Sequence, residues 1–258
     1  MHIKELFDLK DKVAIITGGG RGLGAQMAEG FAQAGASLVL CSRKAAACED
    51  TAQRLSSEYG VKAIALGCDV TNQEDVKNVV QTAVDTFGKI DILVNNSGAT
   101  WGAPVQDMPL DAWNKVMNVN VTGTFLMSQE AGKHMIQQKS GKIINIASVA
   151  GLGGTDPRYM DTIAYNTSKG AVITFTKDLA VKWGQYNINV NAIAPGFFPT
   201  KMSQVIIENG KDHFLNMTPL KRFGTDQDLK GAALFLAAKA SDFMTGDVLV
   251  VDGGTHAM

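Results

Sequence analysis

Seven short and continuously apolar segments recur along the chain, each separated from the next by a longer stretch. An unbroken apolar run, rather than an alternating one, is typical of a strand buried on both faces of a parallel sheet. The segments are VAIIT (13–17), SLVLC (37–41), KAIAL (62–66), DILVN (91–95), KIINIA (142–147), INVNAIA (188–194) and DVLVVD (247–252).

The stretches between these strands have helical periodicity. In GLGAQMAEGFAQAG (22–35), QEDVKNVVQTAVDTFG (73–88) and SKGAVITFTKDLAVKWG (168–184), apolar residues recur at intervals of three and four. Their final glycines, Gly35, Gly88 and Gly184, are predicted helix stops. The alternation predicts right-handed βαβ units in an α/β fold: one doubly wound, seven-stranded, mostly parallel sheet with helices on both faces. We therefore expect one domain over residues 1–258.

Two segments interrupt this alternation. GLGGTDPRYMD (151–161) has too few apolar residues to form a helix or strand, and residues 201–224 are long and only loosely periodic. A loop of that length in a compact α/β domain is typically a lid or a binding segment. Both segments follow strands on the side of the sheet where such folds bind ligands. We expect 201–224 to be a lid or substrate segment.

The composition excludes several classes of function. The 258 residues include 24 basic and 25 acidic ones, without a block of like charges, so neither nucleic acid nor a membrane is an expected partner. No apolar run approaches the roughly 18 residues of a membrane span. The three cysteines lack metal-site spacing and predict reduced thiols, with no metal site. The opening MHIKELFDLKDK has charges where a signal peptide needs apolar residues, which favours a cytoplasmic protein.

The first strand continues directly into the glycine-rich stretch TGGGRGLG, which spans residues 17–24 and precedes a helix. Glycines permit a tight turn whose bare N–H groups meet a phosphate at a helix N-terminus. The spacing fits Gly18, Gly22 and Gly24, and also the looser pattern Gly20, Gly22, Ala25. The alternative is an ordinary glycine turn without a ligand.

The end of the second strand indicates which dinucleotide is bound. A carboxylate there binds the ribose 2′-OH of NAD, whereas an arginine suits a 2′-phosphate. The sequence has CSRK at 41–44, with Ser42 and Arg43 at that place, and Arg21 within the glycine turn is a second candidate. Because guanidinium pairs strongly with phosphate, NADP(H) is favoured over NAD(H). Alternatively, both arginines are merely solvated.

The sequence YNTSK, from Tyr165 to Lys169, comes shortly after the loop GLGGTDPRYMD (151–161). Reducing a ketone with a nicotinamide needs a proton for the oxygen, but a phenol with a pKa of ~10 is a poor acid–base group at neutral pH. A nearby cation lowers that pKa, and positions i and i+4 of a helix share a face. Ser148, at the end of its strand, is a candidate donor to the substrate carbonyl. The alternatives are a surface Tyr–Lys pair and a turn serine.

From about residue 9 to its end, the chain resembles the short-chain dehydrogenase/reductase family, whose members have a Rossmann fold. The resemblance rests on TGGGRGLG, CDV (68–70), NNSG (95–98), MNVNVTG (117–123), Ser148 with YNTSK, APGFFPT (194–200) and VDGG (251–254). NNSG differs from the commoner NNAG by one hydroxyl, and the 17-residue interval between Ser148 and Tyr165 is wider than usual.

The resemblance implies a role for each matching residue. Asn120, Ser148, Tyr165 and Lys169 would form a proton-transfer tetrad, in which Asn120 holds a water relay to Lys169 through a local helix irregularity. The implied cofactor contacts are Gly18, Arg21, Gly22, Leu23, Gly24, Ser42, Arg43, Asp69, Val70, Asn96, Gly98, Tyr165, Lys169, Pro195, Gly196, Phe198 and Thr200. The family also implies a homotetramer built on the helices at 109–136 and 164–185 and on the last strand.

The substrate is less constrained than the reaction. Residues 141–200 are similar to the gluconate 5-dehydrogenase branch, which implies an oxidoreductase transferring hydride between NADP(H) and a keto sugar acid. Arg158, Lys211, His213 and Lys221 are candidates for the acid's carboxylate, and Asp156 with Arg158 for the substrate entrance. The alternative is a 3-oxoacyl-[acyl-carrier-protein] or thioester reductase, although Val181 replaces an arginine frequent in those reductases. A non-catalytic dinucleotide-binding regulator is the alternative of another class.

Overall fold

The computed structural model describes residues 1–201 and 203–258. Its seven strands form one sheet in the order β3-β2-β1-β4-β5-β6-β7, and all six neighbouring pairs are parallel. The doubly wound sheet is thus confirmed, as fully rather than mostly parallel. The strands are β1 (Val13–Thr17), β2 (Ser37–Ser42), β3 (Ala63–Gly67), β4 (Ile92–Asn95), β5 (Gly141–Ile146), β6 (Ile188–Pro195) and β7 (Val248–Val251).

Helices cover both faces of the sheet, as predicted. They are α1 (Ile3–Leu6), α2 (Gly22–Gln33), α3 (Ala45–Tyr59), α4 (Gln73–Phe87), α5 (Leu110–Met117), α6 (Gly123–Gln138), α7 (Ile163–Trp183), α8 (Gln204–Met217) and α9 (Asp226–Ala237). Residues of α2, α3 and α9 share one buried cluster with Ile16, whereas α4, α6 and α7 share another with Ile15. Neighbouring strand residues point to opposite faces, so each central strand contributes to both clusters.

All three predicted helix stops are confirmed, although the backbone conformation of Gly184 differs from that of the other two glycines. Gly35 and Gly88 follow α2 and α4 in the left-handed conformation, with φ of +92° and +79°. Gly184 remains right-handed at φ −55° and begins a short 3₁₀ turn, Gly184–Tyr186, after α7. The left-handed residue there is Asn187, at φ +57°. Asparagine tolerates this conformation better than other non-glycine residues, so the left-handed residue lies three positions after the predicted helix stop.

The segment 201–224 is mainly helical, so its expected loop character is wrong. It contains α8, which is interrupted at Gly210 (φ −127°, ψ 22°). Ile207 and Phe214, seven residues apart, are both buried and lie on one face of this helix. The interruption between them weakens the periodicity in the sequence. Met202 lies outside the described residues. The segment 151–161 is irregular after the 3₁₀ turn Val149–Gly151, as expected.

The parallel sheet brings the predicted motifs to one edge. Strands β1 and β4 end at Thr17 and Asn95, the first residues of the glycine-rich turn and of the NNSG motif. Strand β5 ends at Ile146, two residues before Ser148.

No helix within residues 1–201 and 203–258 is long and apolar enough to cross a membrane. The same residues contain no group of three or more His, Cys, Asp and Glu side chains arranged to hold a metal ion.

Candidate active site

A cleft of about 410 Å³ opens at the carboxyl edge of the sheet, and it brings together nearly all the residues predicted for the site. Those that line it are Gly18, Arg21, Gly22, Leu23, Ser42, Arg43, Asp69, Val70, Asn96, Gly98, Ser148, Tyr165, Lys169, Pro195, Gly196, Phe198 and Thr200. Gly24 and Asn120 are the exceptions, because both lie behind the cleft surface and support it.

The glycine-rich turn has the backbone that a diphosphate needs. Gly18 and Gly22 have φ of +66° and +52°, and a Cβ on Gly24 would lie 2.2 Å from the Gly18 carbonyl oxygen. The Asn96 amide donates to the carbonyls of Thr17 and Gly18, at 2.9 and 3.3 Å, and so fixes the turn. No side chain caps the start of α2. The N–H groups of its first turn therefore have no side-chain partner, and with Gly22 and Leu23 lining the cleft they are available to a bound phosphate.

The far end of the cleft combines a guanidinium with a fixed carboxylate. The carboxylate of Asp69 accepts hydrogen bonds from the Thr71 N–H at 3.0 Å and the Thr71 hydroxyl at 2.8 Å. These bonds lower the pKa of Asp69, and the nearby Arg43 lowers it further. Arg43 itself is exposed after the end of β2. The position that would carry an acid in an NAD site thus carries a cation.

Helix α7 places Lys169 one turn after Tyr165, as the spacing predicted. The Lys169 Nζ lies 5.6 Å from the centroid of the Tyr165 ring. It is buried and donates to the carbonyl of Ile146, at 2.6 Å. Ser148 is also buried; its hydroxyl accepts a hydrogen bond from the Ala150 N–H at 3.2 Å and is close enough to the Tyr165 phenol to influence its pKa. Serine, phenol and ammonium therefore meet at the end of β5.

The pKa of Tyr165 differs from the expectation. Burial raises it above its ordinary value of 10.0, although the Ser148 hydroxyl opposes the change. Burial lowers the pKa of Lys169 to about 8. The predicted lowering of the phenol pKa by Lys169 is therefore wrong for this structure. Desolvation of the phenolate dominates, since the ammonium lies over the ring and is bonded to a carbonyl.

Asn120 lies in a π-helical turn, Asn118–Thr122, between α5 and α6. The irregularity implied by the family resemblance is thus present. The Asn120 Oδ1 accepts from the Ala99 N–H at 2.7 Å, and its Nδ2 donates to the Ala99 carbonyl at 2.9 Å and the Ser168 hydroxyl at 2.8 Å. The side chain therefore ties the loop after β4 to α7, while its part in a water relay stays a prediction.

None of the four residues expected to bind a substrate carboxylate lines the cleft. Arg158 is exposed and pairs with Asp156, and His213 stacks on Tyr159 with ring centroids 3.8 Å apart. Lys221 donates to a backbone carbonyl, and Lys211 is exposed on α8. Charge alone selected these residues, and only tertiary contacts could show where they lie.

The cleft contains residues that the sequence analysis did not single out. They are Cys68, Ser97, Thr100, Val119, Ile146, Ala147, Met160, Thr162, Phe197, Lys201, Ser203 and Ile206. Several adjoin a recognised motif, and that proximity was the available signal. Phe197 lies inside APGFFPT and Lys201 directly follows it.

Comparison with known proteins agrees with this geometry. The family model described as enoyl-(acyl carrier protein) reductase matches residues 18–256. The chain is 38% identical over 255 residues to the 5-keto-D-gluconate 5-reductase of Escherichia coli (strain K12), covering 98% of each. It is 36% identical over 246 residues to the 3-oxoacyl-[acyl-carrier-protein] reductase of Aquifex aeolicus (strain VF5), covering 95% of this chain and 98% of the relative.

A solved structure matches over the whole chain as well. The gluconate 5-dehydrogenase from Burkholderia cenocepacia J2315, in complex with NADP and tartrate, superimposes with a TM-score of 0.94, 37% identity and 100% coverage of both chains. Together with the glycine-rich turn and the Ser148–Tyr165–Lys169 group, these matches define the reaction class as oxidoreduction at CH–OH groups with a nicotinamide cofactor. The chain belongs to the short-chain dehydrogenase/reductase family.

Proposed function

We propose that the protein is an NADP(H)-dependent oxidoreductase that interconverts a keto sugar acid and the corresponding secondary alcohol. The observation that carries the proposal is the meeting of Ser148, Tyr165 and Lys169 in the cleft that holds the glycine-rich turn. The sugar-acid assignment is supported by the similarity to the 5-keto-D-gluconate 5-reductase and the gluconate 5-dehydrogenase described above.

The residues of the cleft can handle the proton of such a reaction. A bound nicotinamide supplies or accepts the hydride. The Ser148 hydroxyl is placed to donate to the substrate oxygen and stabilise the negative charge that develops there. Because the pKa of Tyr165 is raised, the phenol keeps its proton at neutral pH and can give it to that oxygen. In the reverse direction the phenolate oxygen of Tyr165 accepts the proton of the alcohol.

The preference for NADP(H) rests on charge at the end of β2. Arg43 is exposed beside the cleft and Arg21 lies in the glycine-rich turn, so both can reach a 2′-phosphate. A carboxylate at the position of Arg43 would instead repel that phosphate. The NADP bound to the gluconate 5-dehydrogenase relative supports the same choice.

We also propose that α8 lines the part of the cleft that binds the substrate. This agrees with the expectation that the segment 201–224 is a lid or substrate segment. Ile206 of this helix lines the cleft. Phe214 packs on Phe197 with ring centroids 4.0 Å apart, and His213 stacks on Tyr159 in the loop 151–161. The two segments that interrupt the strand–helix alternation therefore contact each other, and each contributes a residue, Met160 or Ile206, to the cleft.

A 3-oxoacyl thioester reductase is the second candidate. Met160, Phe197 and Ile206 give the substrate end an apolar surface, which suits an acyl chain better than a polyol. The similarity to the Aquifex aeolicus reductase supports it. A regulator that only binds the dinucleotide is disfavoured, because such a protein has no use for a buried phenol, ammonium and serine beside the cofactor cleft.

The test is a substrate panel with the purified protein. NADPH or NADH oxidation is followed by absorbance with 5-keto-D-gluconate, neutral ketones and 3-oxoacyl thioesters, and Tyr165→Phe is the control for catalysis by the phenol. We expect the highest kcat/KM with NADPH and the keto sugar acid, and turnover reduced by about a thousandfold or more in the variant. Higher kcat/KM with the thioester would favour the second candidate. Cofactor binding without any turnover would support the regulator.

Assembly and location are further proposals. Exposed apolar side chains on the helices expected at the interfaces, Leu110 on α5 and Phe125 on α6, support a homotetramer. The partially exposed Val250 on β7 has the same implication for the last strand. A cytoplasmic location is supported by the three cysteines, all of them free thiols in the described structure.

A further inference from the structure

Four cationic side chains line the cleft: Arg21, Arg43, Lys169 and Lys201. The proposed function gives a role to three of them, because the arginines face the 2′-phosphate and Lys169 lies beside Tyr165. Lys201 has no such role. The Lys201 side chain is exposed. The nearby ion pairs between described residues, Arg158–Asp156 and Arg222–Asp228, do not involve Lys201.

Tertiary contacts fix the backbone around Lys201 against the glycine-rich turn. The methyl group of Thr200 lies 3.4 Å from the point that a Cβ on Gly22 would occupy. The Ser203 hydroxyl accepts from the Thr200 N–H at 2.9 Å and donates to the Phe198 carbonyl at 2.5 Å. These bonds hold residues 198–201 and Ser203 in a compact arrangement beside the glycine-rich turn.

This position distinguishes Lys201 from the cations at the adenine end. Arg43 follows β2 and acts on Asp69, whereas Lys201 adjoins a residue in contact with Gly22, where α2 begins. The N–H groups at that helix start approach a phosphate from one side. A lysine on the opposite side adds a point charge on a flexible stem, which suits a diphosphate that has several equivalent oxygens.

We propose that Lys201 binds the diphosphate of the nicotinamide dinucleotide and closes the glycine-rich turn from the side of α8. The inference rests on the proposed dinucleotide function and extends it. The diphosphate is common to NADPH and NADH, so Lys201 raises affinity for both, while Arg43 discriminates between them through the 2′-phosphate.

Direct binding measurements test this without relying on turnover. The dissociation constants of NADPH and NADH are measured by nicotinamide fluorescence, without substrate, for the wild type, Lys201→Ala, Lys201→Arg and Lys221→Ala. Lys221 is the control, since it is an exposed lysine of the same segment outside the cleft. We expect Lys201→Ala to weaken both cofactors equally, by about tenfold. Lys201→Arg should restore most of the affinity, and Lys221→Ala should leave it unchanged.

The remaining outcomes each contradict the inference in a recognisable way. Unchanged affinity for both cofactors in Lys201→Ala removes Lys201 from the cofactor site. If KM for an acidic substrate then rises, the lysine binds the substrate carboxylate instead. Weakening of NADPH alone places it with the 2′-phosphate. A wild-type protein that binds neither dinucleotide contradicts the proposed function itself, and equal effects of the Lys201 and Lys221 variants would indicate a general field of positive charge.

Discussion

Lys169 is buried beside Tyr165, and its contribution to the free energy of unfolding depends on pH in a direction that can be worked out. Burial lowers its pKa from 10.5 to about 8 in the folded protein. Below about pH 8 the Lys169 amine is protonated in both the folded and the unfolded protein, and the folded protein bears the full cost of the buried charge. Between about pH 8 and 10.5 the unfolded chain retains a proton that the folded protein has lost. The contribution of Lys169 to stability therefore rises with pH across this interval.

We predict that Lys169→Met removes this pH dependence. The free energy of unfolding of the wild type, minus that of the variant, should increase by up to about 3 kcal/mol from pH 7.5 to pH 10.5. Urea unfolding of both cofactor-free proteins at several pH values measures it, and the other titrating groups cancel because both proteins contain them. A difference independent of pH would mean that Lys169 is solvated in the native state.

Arg43 is predicted to set the cofactor preference. In Arg43→Asp a carboxylate replaces the guanidinium, so the 2′-phosphate of NADPH is repelled while the ribose 2′-OH of NADH gains an acceptor. We expect the ratio of kcat/KM for NADPH to that for NADH to fall by at least about a hundredfold, from loss of one pairing and gain of a repulsion. Lys44→Ala, at the adjacent exposed position, is the control. A ratio that stays constant in Arg43→Asp would place the phosphate elsewhere.

The glycine-rich turn shows how an element depends on one missing side chain. A Cβ at Gly24 would lie 2.2 Å from the Gly18 carbonyl oxygen and 2.6 Å from Asn96 Nδ2. Backbone on one side and a bonded amide on the other leave no room for it. We predict that Gly24→Ala separates α2 from the turn, lowers Tm and weakens NADPH binding by more than about tenfold, because the phosphate then loses aligned N–H groups.

The control for that substitution is Gly231→Ala in α9, where no other atom lies within 4 Å of the added Cβ. Alanine is the better helix former, so this variant should gain up to about 1 kcal/mol and bind NADPH normally. Differential scanning calorimetry and the same fluorescence titration compare the two variants. Wild-type affinity in Gly24→Ala would show that the turn can relax around a methyl group.

The strands were easier to predict than the helix in the segment 201–224. All seven strands lie within one residue of their predicted bounds, since buried parallel strands give unbroken apolar runs. The helix α8 was missed because Gly210 interrupts it and its packing partners, Phe197 and Tyr159, are distant in sequence. The end of α7 was predicted correctly at Gly184, but the left-handed residue after it is Asn187, because glycine is only the commonest of the residues that can reverse a helix.

The assembly is the prediction that belongs to the whole molecule. Phe125 on α6 is 44% exposed, and a homotetramer would bury it between helices of two subunits. We predict that Phe125→Asp places a charge in that interface and converts the tetramer into dimers or monomers, as measured by light scattering. Ile3→Asp, at an exposed apolar residue of α1, should leave the mass unchanged. A wild-type protein that is monomeric would contradict the prediction outright.

The sequence by itself determined the strand–helix alternation, the parallel sheet, the glycine-rich turn and the Tyr165–Lys169 spacing. These features depend on local periodicity or on residues only a few positions apart, so the order of residues is sufficient to define them. Only the tertiary structure decided that Lys201 lies at the turn, that Arg158 and Lys221 lie outside the cleft, and that burial raises the pKa of Tyr165. Desolvation and contact across the fold depend on which distant segments pack together, and a side chain's charge does not reveal its neighbours.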